Sequence, residues 1–198
     1  MTVTPTSDHR ERCFWATDTS DAMRAYHDTE WGAAVHDDNR LFEKISLEGF
    51  QAGLSWSTIL AKRPAFREVF HGFEIPRVAA MHEGDVLNLL EDKRIIRHRG
   101  KIEAVINNAS RALEIRQEFG SLDAFVWGYK ADTTKRPKKL TREWLCEHTT
   151  SPESVALSKE LRKRGWKFVG PTTMYAFMQS CGLVNDHIHT CEVRPAGC

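Results

Sequence analysis

Residues 101–113 have the sequence KIEAVINNASRAL, in which the apolar positions recur with the period of an α-helix. The positions i, i+3, i+4, i+7 and i+11 form one stripe along a helix. They are occupied by Ile102, Val105, Ile106, Ala109 and Leu113. This pattern predicts an amphipathic helix, and a helical period dominates the rest of the chain as well.

Helix-capping residues mark two further helices near the C-terminus. Residues 174–181 repeat the helical pattern, and Gly182 follows them as a residue that commonly ends a helix. Ser151 and Pro152 are typical of an N-cap and of the first helical position. We expect the helix that they begin to end near Arg164.

Two more helices are expected in the first half of the chain. Asp38 is a candidate N-cap for a helix that includes residues 41–45. Ser55 is the candidate N-cap of a second helix, which we expect to end before Pro64. Alternating patterns typical of β-strands are nearly absent, so the sequence predicts an all-α fold of short and medium helices.

The composition is that of a globular protein. The chain has 198 residues, of which 41% are hydrophobic, so we expect a single globular unit over residues 1–198. No apolar run approaches the roughly 20 residues of a membrane span. The polar beginning, MTVTPTSDHRER, predicts no secretory signal. Five scattered cysteines favour a reducing, cytoplasmic location over a disulfide framework.

Basic residues are clustered although the net charge is only +1. The clusters are KRIIRHRGK at 93–101, PKK at 137–139 and LRKRGWK at 161–167. A nearly neutral protein can still bind phosphate groups through such local patches. The alternative is that each cluster is a solvated surface, as charge runs often are. PKK belongs to residues 130–139, which favour an exposed loop.

The stretch CGLVNDHIHTC at 181–191 places His187 and His189 shortly before Cys191. A structural zinc site normally has four Cys and His ligands, so two more are needed. Cys13 and His27 can complete the set and would tether the two ends of the chain. By spacing alone, the favoured interpretation is that these histidines and cysteines are buried residues of the core. Spacing does not decide between His187 and His189.

Several long motifs follow one another along the chain. They are RCFW, AYHDTEWG, LFEKISLEGFQAGLSWSTIL, IIRHRGKIEAVINNA and LSKELRKRGWKFVGPTTMYAFMQSCGLVNDH. In this order they closely resemble the 3-methyladenine DNA glycosylase I family of the helix-hairpin-helix DNA glycosylase superfamily. The resemblance covers about residues 11–192, the expected glycosylase domain, and is absent at 130–150.

The resemblance implies an enzyme of DNA repair. It implies hydrolysis of the N-glycosidic bond of 3-methyladenine in double-stranded alkylated DNA, with the free base as product. It also implies base flipping and no strand cleavage, and we expect a monomer without membrane contact. The alternatives are a zinc-stapled DNA-binding module without catalysis, or a glycosylase with a shifted lesion preference.

The resemblance also implies one structural zinc ion per chain that joins the N- and C-terminal segments of an all-α, helix-hairpin-helix fold. The motifs RC-x-W, YHD-x-EWG and NDH-x3-C match the four ligands to Cys13, His27, His187 and Cys191. His187 is preferred to His189 because it is the histidine of NDH.

The implied base pocket combines a carboxylate with aromatic rings. Methylation at N3 makes adenine cationic, so a carboxylate can balance its charge and accept its N–H groups. Aromatic faces can stack on the cation for about 0.5–2 kcal/mol. The resemblance assigns the carboxylate to Glu48, as the catalytic group, and the aromatic candidates are Tyr26, Trp56, Trp15 and Trp31. Plain core packing is the alternative for each ring.

The implied DNA contacts lie in a loop and a helical hairpin. Leu54, after Gly53, is the candidate wedge that fills the vacated stack. The hairpin is expected at about residues 86–113, where backbone N–H groups and cations can contact phosphates. Its candidate DNA-binding residues are Arg97, Arg99, Gly100 and Lys101.

Overall fold

All regular structure in a computed structural model is helical within residues 9–194, the part of the chain that the structure describes. The all-α prediction is therefore confirmed. Residues 1–8 and Cys198 lie outside the described residues. The helices are α1 (Asp21–Thr29), α2 (Asp38–Gln51), α3 (Trp56–Val69), α4 (Ile75–Ala79), α5 (Glu83–Glu91), α6 (Arg99–Phe119), α7 (Leu122–Trp127), α8 (Arg142–Glu147), α9 (Pro152–Lys163) and α10 (Pro171–Ser180).

Local capping signals place most helix ends where the sequence predicts them. The Ser151 hydroxyl accepts a hydrogen bond from the Ser154 N–H at 3.1 Å, and α9 begins at Pro152. Gly182 follows α10 with a positive φ of 78°, a conformation that favours glycine. The expectation for α2 is off by one residue, because Asp37 rather than Asp38 is the N-cap and accepts from the Arg40 N–H at 2.9 Å.

Helix α3 contradicts the expected end before Pro64, since it continues through the proline to Val69. Proline removes one intrahelical hydrogen bond and disfavours a helix interior. The turns that follow are nevertheless held by burial: Phe66 packs on Phe50 with ring centroids 4.5 Å apart, and Phe70 lies 6.1 Å from the same ring. Tertiary packing therefore overrides the local preference of the proline.

Helix α2 is the centre of the fold. Residues 41–50 are buried on all sides, and α2 contacts α3, α6, α7 and α10. This buried stretch includes the ionisable side chains of Glu43, Lys44 and Glu48. Buried charges are normally paired or functional. Glu43 is paired with Arg67 at 2.7 Å, so its burial has a structural explanation. The burial of Glu48 is instead connected with the cavity that it lines.

Helices α2 and α6 run antiparallel. The Lys101 ammonium, in the first turn of α6, donates to the carbonyls of Phe50 and Ala52 at the end of α2, at 2.9 and 2.6 Å. Towards the other end of α6, Arg116 lies 3.2 Å from Asp38 at the beginning of α2. The last turn of α2 and the hairpin formed by α5 and α6 therefore lie at the same end of the molecule.

No helix within residues 9–194 combines the length and the apolar character needed to cross a membrane.

Candidate active site and metal centre

Four buried side chains from the two ends of the chain form one cluster. Their ligand atoms all lie within 4.8 Å of one another, and the residues are Cys13, His27, His187 and Cys191. The Cys191 thiol is 3.5 Å from His187 Nδ1 and 3.6 Å from His27 Nε2, and the Cys13 thiol is 3.6 Å from His187 Nδ1. This cluster can bind a metal ion.

The remaining ring nitrogens of the two histidines have partners that fix the rings. His27 Nδ1 is 2.8 Å from the Asp28 carboxylate, which Arg12 binds at 2.8 Å. His187 Nε2 is 3.2 Å from the Trp31 carbonyl. Such outer contacts orient histidine ligands for a metal. His189 lies outside the cluster, with its Nδ1 2.9 Å from the Leu140 carbonyl.

Burial keeps His187 and Cys13 uncharged when no metal is bound. Burial lowers the pKa of His187 to about 4, so its imidazole is neutral and able to ligate near pH 7. Burial likewise raises the pKa of the Cys13 thiol to about 12. A metal ion in the cluster would stabilise the thiolate instead.

A cavity of about 380 Å³ opens beside the metal cluster. Its walls come from the N-terminal segment, α1, the end of α2, the start of α3, α8 and α10. The lining residues are Phe14, Trp15, Met23, Tyr26, Trp31, Glu48, Gln51, Trp56, Leu145, His148, Thr149, Thr172, Tyr175, Ala176 and Gln179. A largely apolar cavity with few polar groups is typical of a small-molecule site.

The four aromatic side chains predicted for the pocket are brought together on one side of this cavity. The ring centroids of Tyr26 and Trp56 are 5.2 Å apart, and those of Trp15 and Trp31 are 5.0 Å apart in an edge contact. Trp15 also lies 5.0 Å from the ring of His27. Because His27 belongs to the metal cluster, that cluster and the pocket wall are in direct contact.

Glu48 contributes the only carboxylate among the described residues that line the cavity. It lies in the last turn of α2 and is only 6% exposed. Burial raises the pKa of Glu48 to about 8, and the positive charge of Lys44, one helical turn earlier, opposes this rise. The Lys44 ammonium donates to the Ser180 carbonyl at 2.7 Å, at the end of α10.

The loop between α2 and α3 lies at the edge of the cavity, since Gln51 and Trp56 on either side of it are lining residues. Gly53 has a positive φ of 81°, which favours glycine at this turn. Leu54 is 40% exposed and is one of the few large apolar side chains that face solvent. The structure thus places an apolar side chain beside the mouth of the pocket.

The cations of the hairpin occupy different environments. Arg97 is exposed, whereas Arg99 is bound to Glu83 at 2.8 Å and Glu103 at 3.2 Å. Lys101 differs from its predicted surface role, because it is only 7% exposed and its ammonium binds carbonyls at the end of α2. Gly100 is the second residue of α6.

Sequence reasoning missed one wall of the cavity. Leu145, His148 and Thr149 come from α8 and the residues after it, within the segment 130–150 to which no function was assigned. No local signal identifies these residues, because their role depends on where the segment is anchored. That anchor is Arg136, which binds the buried carboxylate of Asp186.

The fold is that of helical DNA glycosylases. A crystal structure of a 3-methyladenine DNA glycosylase I superposes with a TM-score of 0.84 at 48% identity, covering 93% of this chain and 100% of the other. A variant of a 3-methyladenine DNA glycosylase I, solved in complex with 3-methyladenine, gives a TM-score of 0.82 at 36% identity, covering 93% and 97%.

Sequence comparison agrees with the structural likeness. The model of the methyladenine glycosylase family matches residues 15–195. DNA-3-methyladenine glycosylase 1 of Escherichia coli (strain K12) is 50% identical over 186 residues, which are 93% of this chain and 97% of that relative. The chain belongs to the methyladenine glycosylase family, which confirms the resemblance carried by its motifs.

Proposed function

We propose that this chain removes 3-methyladenine from alkylated double-stranded DNA by hydrolysing the N-glycosidic bond. The observation that carries this proposal is the buried carboxyl of Glu48 at an aromatic cavity large enough for a purine. Membership of the family and the likeness to a glycosylase solved with 3-methyladenine support the same activity.

The pocket suits a cationic base better than a neutral one. The ionised Glu48 balances the positive charge of N3-methylated adenine and accepts hydrogen bonds from its N–H edge. The rings of Trp15, Tyr26 and Trp56 offer faces on which a cation stacks favourably. Because the methylated base is already a good leaving group, binding of the flipped base supplies much of the catalysis.

A base that flips out of the duplex leaves a gap in the base stack, and a side chain of the protein can fill this gap. Leu54 is exposed at the mouth of the cavity and can enter the vacated stack, while Gly53 permits the tight turn that presents it. The helical hairpin lies at the same end of the molecule, and exposed Arg97 is a candidate for phosphate contact there. Backbone N–H groups near Gly100 are candidates for the same role.

The proposed reaction ends with release of the base and an abasic site. None of the described residues that line the cavity is a lysine, so no amine is at hand for a Schiff base. The two buried lysines that contact this end of the core, Lys44 and Lys101, have their ammonium groups bound to backbone carbonyls. We therefore infer a monofunctional glycosylase without strand cleavage.

We further propose that the metal of the cluster is a structural Zn²⁺. A tetrahedron with zinc's usual bond lengths separates sulfur from nitrogen by roughly 3.5 Å. The separations of 3.5 and 3.6 Å in the cluster fit this value. Four protein ligands close the site, so the zinc would cross-link the chain ends. By binding His27 it would also fix the backbone that presents the adjacent Tyr26 to the cavity.

The proposed activity is tested by incubating wild type and Glu48→Gln with methylated duplex DNA and measuring the free base by chromatography. Wild type should release 3-methyladenine, and the variant should lose most of this activity because glutamine cannot balance the cation. Glu114→Gln, an exposed glutamate on α6, is the matched control and should behave as wild type. If wild type and Glu48→Gln bind methylated DNA equally and neither releases base, the chain is a DNA-binding module instead.

A further inference from the structure

A basic segment beside the cavity has no role in the function proposed above. Residues 135–142, KRPKKLTR, carry five cations and no carboxylate. Lys135 is paired with Asp132 at 3.2 Å, and Arg136 binds Asp186. The other three, Lys138, Lys139 and Arg142, are exposed and form no salt bridge within residues 9–194, although Glu143 interacts electrostatically with the neighbouring Arg142.

This segment is fixed to the body of the protein at two points. Arg136 binds Asp186 and also donates to the Tyr175 hydroxyl at 3.3 Å, and that hydroxyl donates to Asp186 at 2.7 Å. Four residues later, the carbonyl of buried Leu140 accepts from the His189 N–H at 2.9 Å. The three unpaired cations are therefore held next to these anchors.

The anchors bring the cations to the rim of the cavity. The Arg142 guanidinium lies over the ring of Phe14, 5.1 Å from its centroid, and Phe14 lines the cavity. Leu145, one turn later on α8, lines it as well. Lys138 lies four residues before Arg142, so the chain allows no more than about 14 Å between their Cα atoms.

Some other exposed cations are already paired with carboxylates, although Arg97 of the hairpin is not among them. Arg99 is paired with Glu83 and Glu103, and Arg94 with Asp92 and Glu68. A cation without a carboxylate partner gains more from a phosphate, since no ion pair has to be broken. The residues that lead into α8 thus offer positive charge without a salt-bridge partner at a wall of the cavity to which Phe14 and Leu145 belong.

We propose that Lys138, Lys139 and Arg142 bind backbone phosphates of the strand that carries the flipped base. This inference rests on the proposed function: a duplex that delivers a base into the cavity must lay its backbone across the mouth. Leu54 would fill the vacated stack, and the three cations would hold the backbone of the same strand beside the lesion. Such contacts add affinity without reading sequence.

The test compares two triple variants that remove the same charge. The rim variant is Lys138→Gln, Lys139→Gln and Arg142→Gln. The control removes Arg77, Arg111 and Lys159 in the same way, three cations of α4, α6 and α9 that lie outside the basic clusters and do not line the cavity. Binding of a fluorescent duplex with a stable abasic analogue is measured over a range of NaCl concentrations.

The rim variant should bind the duplex at least tenfold more weakly at low salt. Its plot of log affinity against log salt should flatten by up to about 2.7, since each lost phosphate contact removes roughly 0.9 from the slope. The control variant should keep the slope of wild type. Free 3-methyladenine should quench tryptophan fluorescence equally in all three proteins, because the cavity is unchanged.

An unchanged slope in the rim variant, or an equal loss in both variants, would overturn the inference. The outcome is independent of the proposed function, which is judged by base release from wild type. A protein that binds DNA through this rim but releases no base would refute the activity and keep the phosphate contacts. If wild type releases base but the rim variant keeps the wild-type salt slope, the activity is supported and the phosphate contacts are refuted.

Discussion

Replacing Glu48 with glutamine should stabilise the folded protein, by an amount that grows with pH. Burial raises the pKa of this carboxyl from 4.5 to about 8 in the folded protein. Between these values the folded chain keeps the proton and the unfolded chain has lost it. Raising the pH over this interval therefore favours the unfolded state of wild type. Glutamine has nearly the same shape and does not ionise, so the variant escapes this loss.

The size of the effect follows from the two pKa values. Each pH unit in this interval lowers the free energy of unfolding of wild type by about 1.4 kcal/mol, and the whole interval lowers it by about 5 kcal/mol. At pH 7 the loss should be on the order of 3 kcal/mol. Below pH 4.5 the carboxyl is protonated in both states, so the two proteins should have similar stability there.

Urea unfolding of wild type and Glu48→Gln at pH 5, 6, 7 and 8 measures this difference. The metal cluster is common to both proteins, so its own pH dependence cancels in the comparison. Glu114→Gln, which changes an exposed carboxylate, should show no comparable trend. A difference between wild type and Glu48→Gln that stays constant from pH 5 to 8 would refute the reasoning.

Three further predictions concern residues around the site. Cys191→Ser should lose its bound metal and unfold at a lower temperature, because metal binding is coupled to folding. Elemental analysis measures the metal content, and calorimetry measures the Tm. Full metal content at an unchanged Tm would contradict this prediction. Lys101→Met should lower the free energy of unfolding by on the order of 2 kcal/mol, since two carbonyls lose a charged donor. Chemical denaturation measures this free energy. An unchanged value would show that water replaces the ammonium. Lys44→Met should move the titration midpoint of Glu48 to higher pH, because the Lys44 charge favours the carboxylate. NMR of labelled glutamate follows this midpoint. An unchanged midpoint would exclude a charge interaction between Lys44 and Glu48.

The sequence predicts those helices whose signals are local. The SPE triplet at 151–153 and the stripe of residues 102–113 each lie in a helix near the expected bounds. Pro64 misleads because its effect is local, whereas the burial of Phe66 and Phe70 depends on partners elsewhere in the chain. A proline in a helix is tolerated when the following turns bury enough apolar surface.

The candidate site was less accessible to local reasoning. About 160 residues separate His27 from His187, so spacing could not select the four cluster residues, and only the family resemblance did. The anchoring of Lys101 on α2 could not be predicted at all, because a lysine in a basic run is typical of a surface. The wall formed by α8 was missed because Arg136 reaches Asp186 only in the folded protein.

The raised pKa of Glu48 also predicts how base release depends on pH. With a pKa of about 8, roughly nine in ten carboxyls are protonated at pH 7 in the empty pocket. A cationic base binds best to the ionised form, so its binding must drive off a proton, at a cost of about 1.4 kcal/mol at pH 7. A neutral base offers no charge to offset that cost and leaves the carboxyl protonated, which favours the methylated base over the normal one.

Base release by wild type, measured as kcat/KM on methylated DNA, should therefore rise about tenfold for each pH unit between pH 6 and 7 and level off above pH 8. The residual activity of Glu48→Gln should not follow this curve, since it lacks the titrating group. A profile for wild type that is flat from pH 6 to 9 would mean that Glu48 is already ionised in the empty pocket. In that case the selection of a cationic base would come from the charge of the carboxylate and from the aromatic rings, and not from the cost of ionising the buried carboxyl.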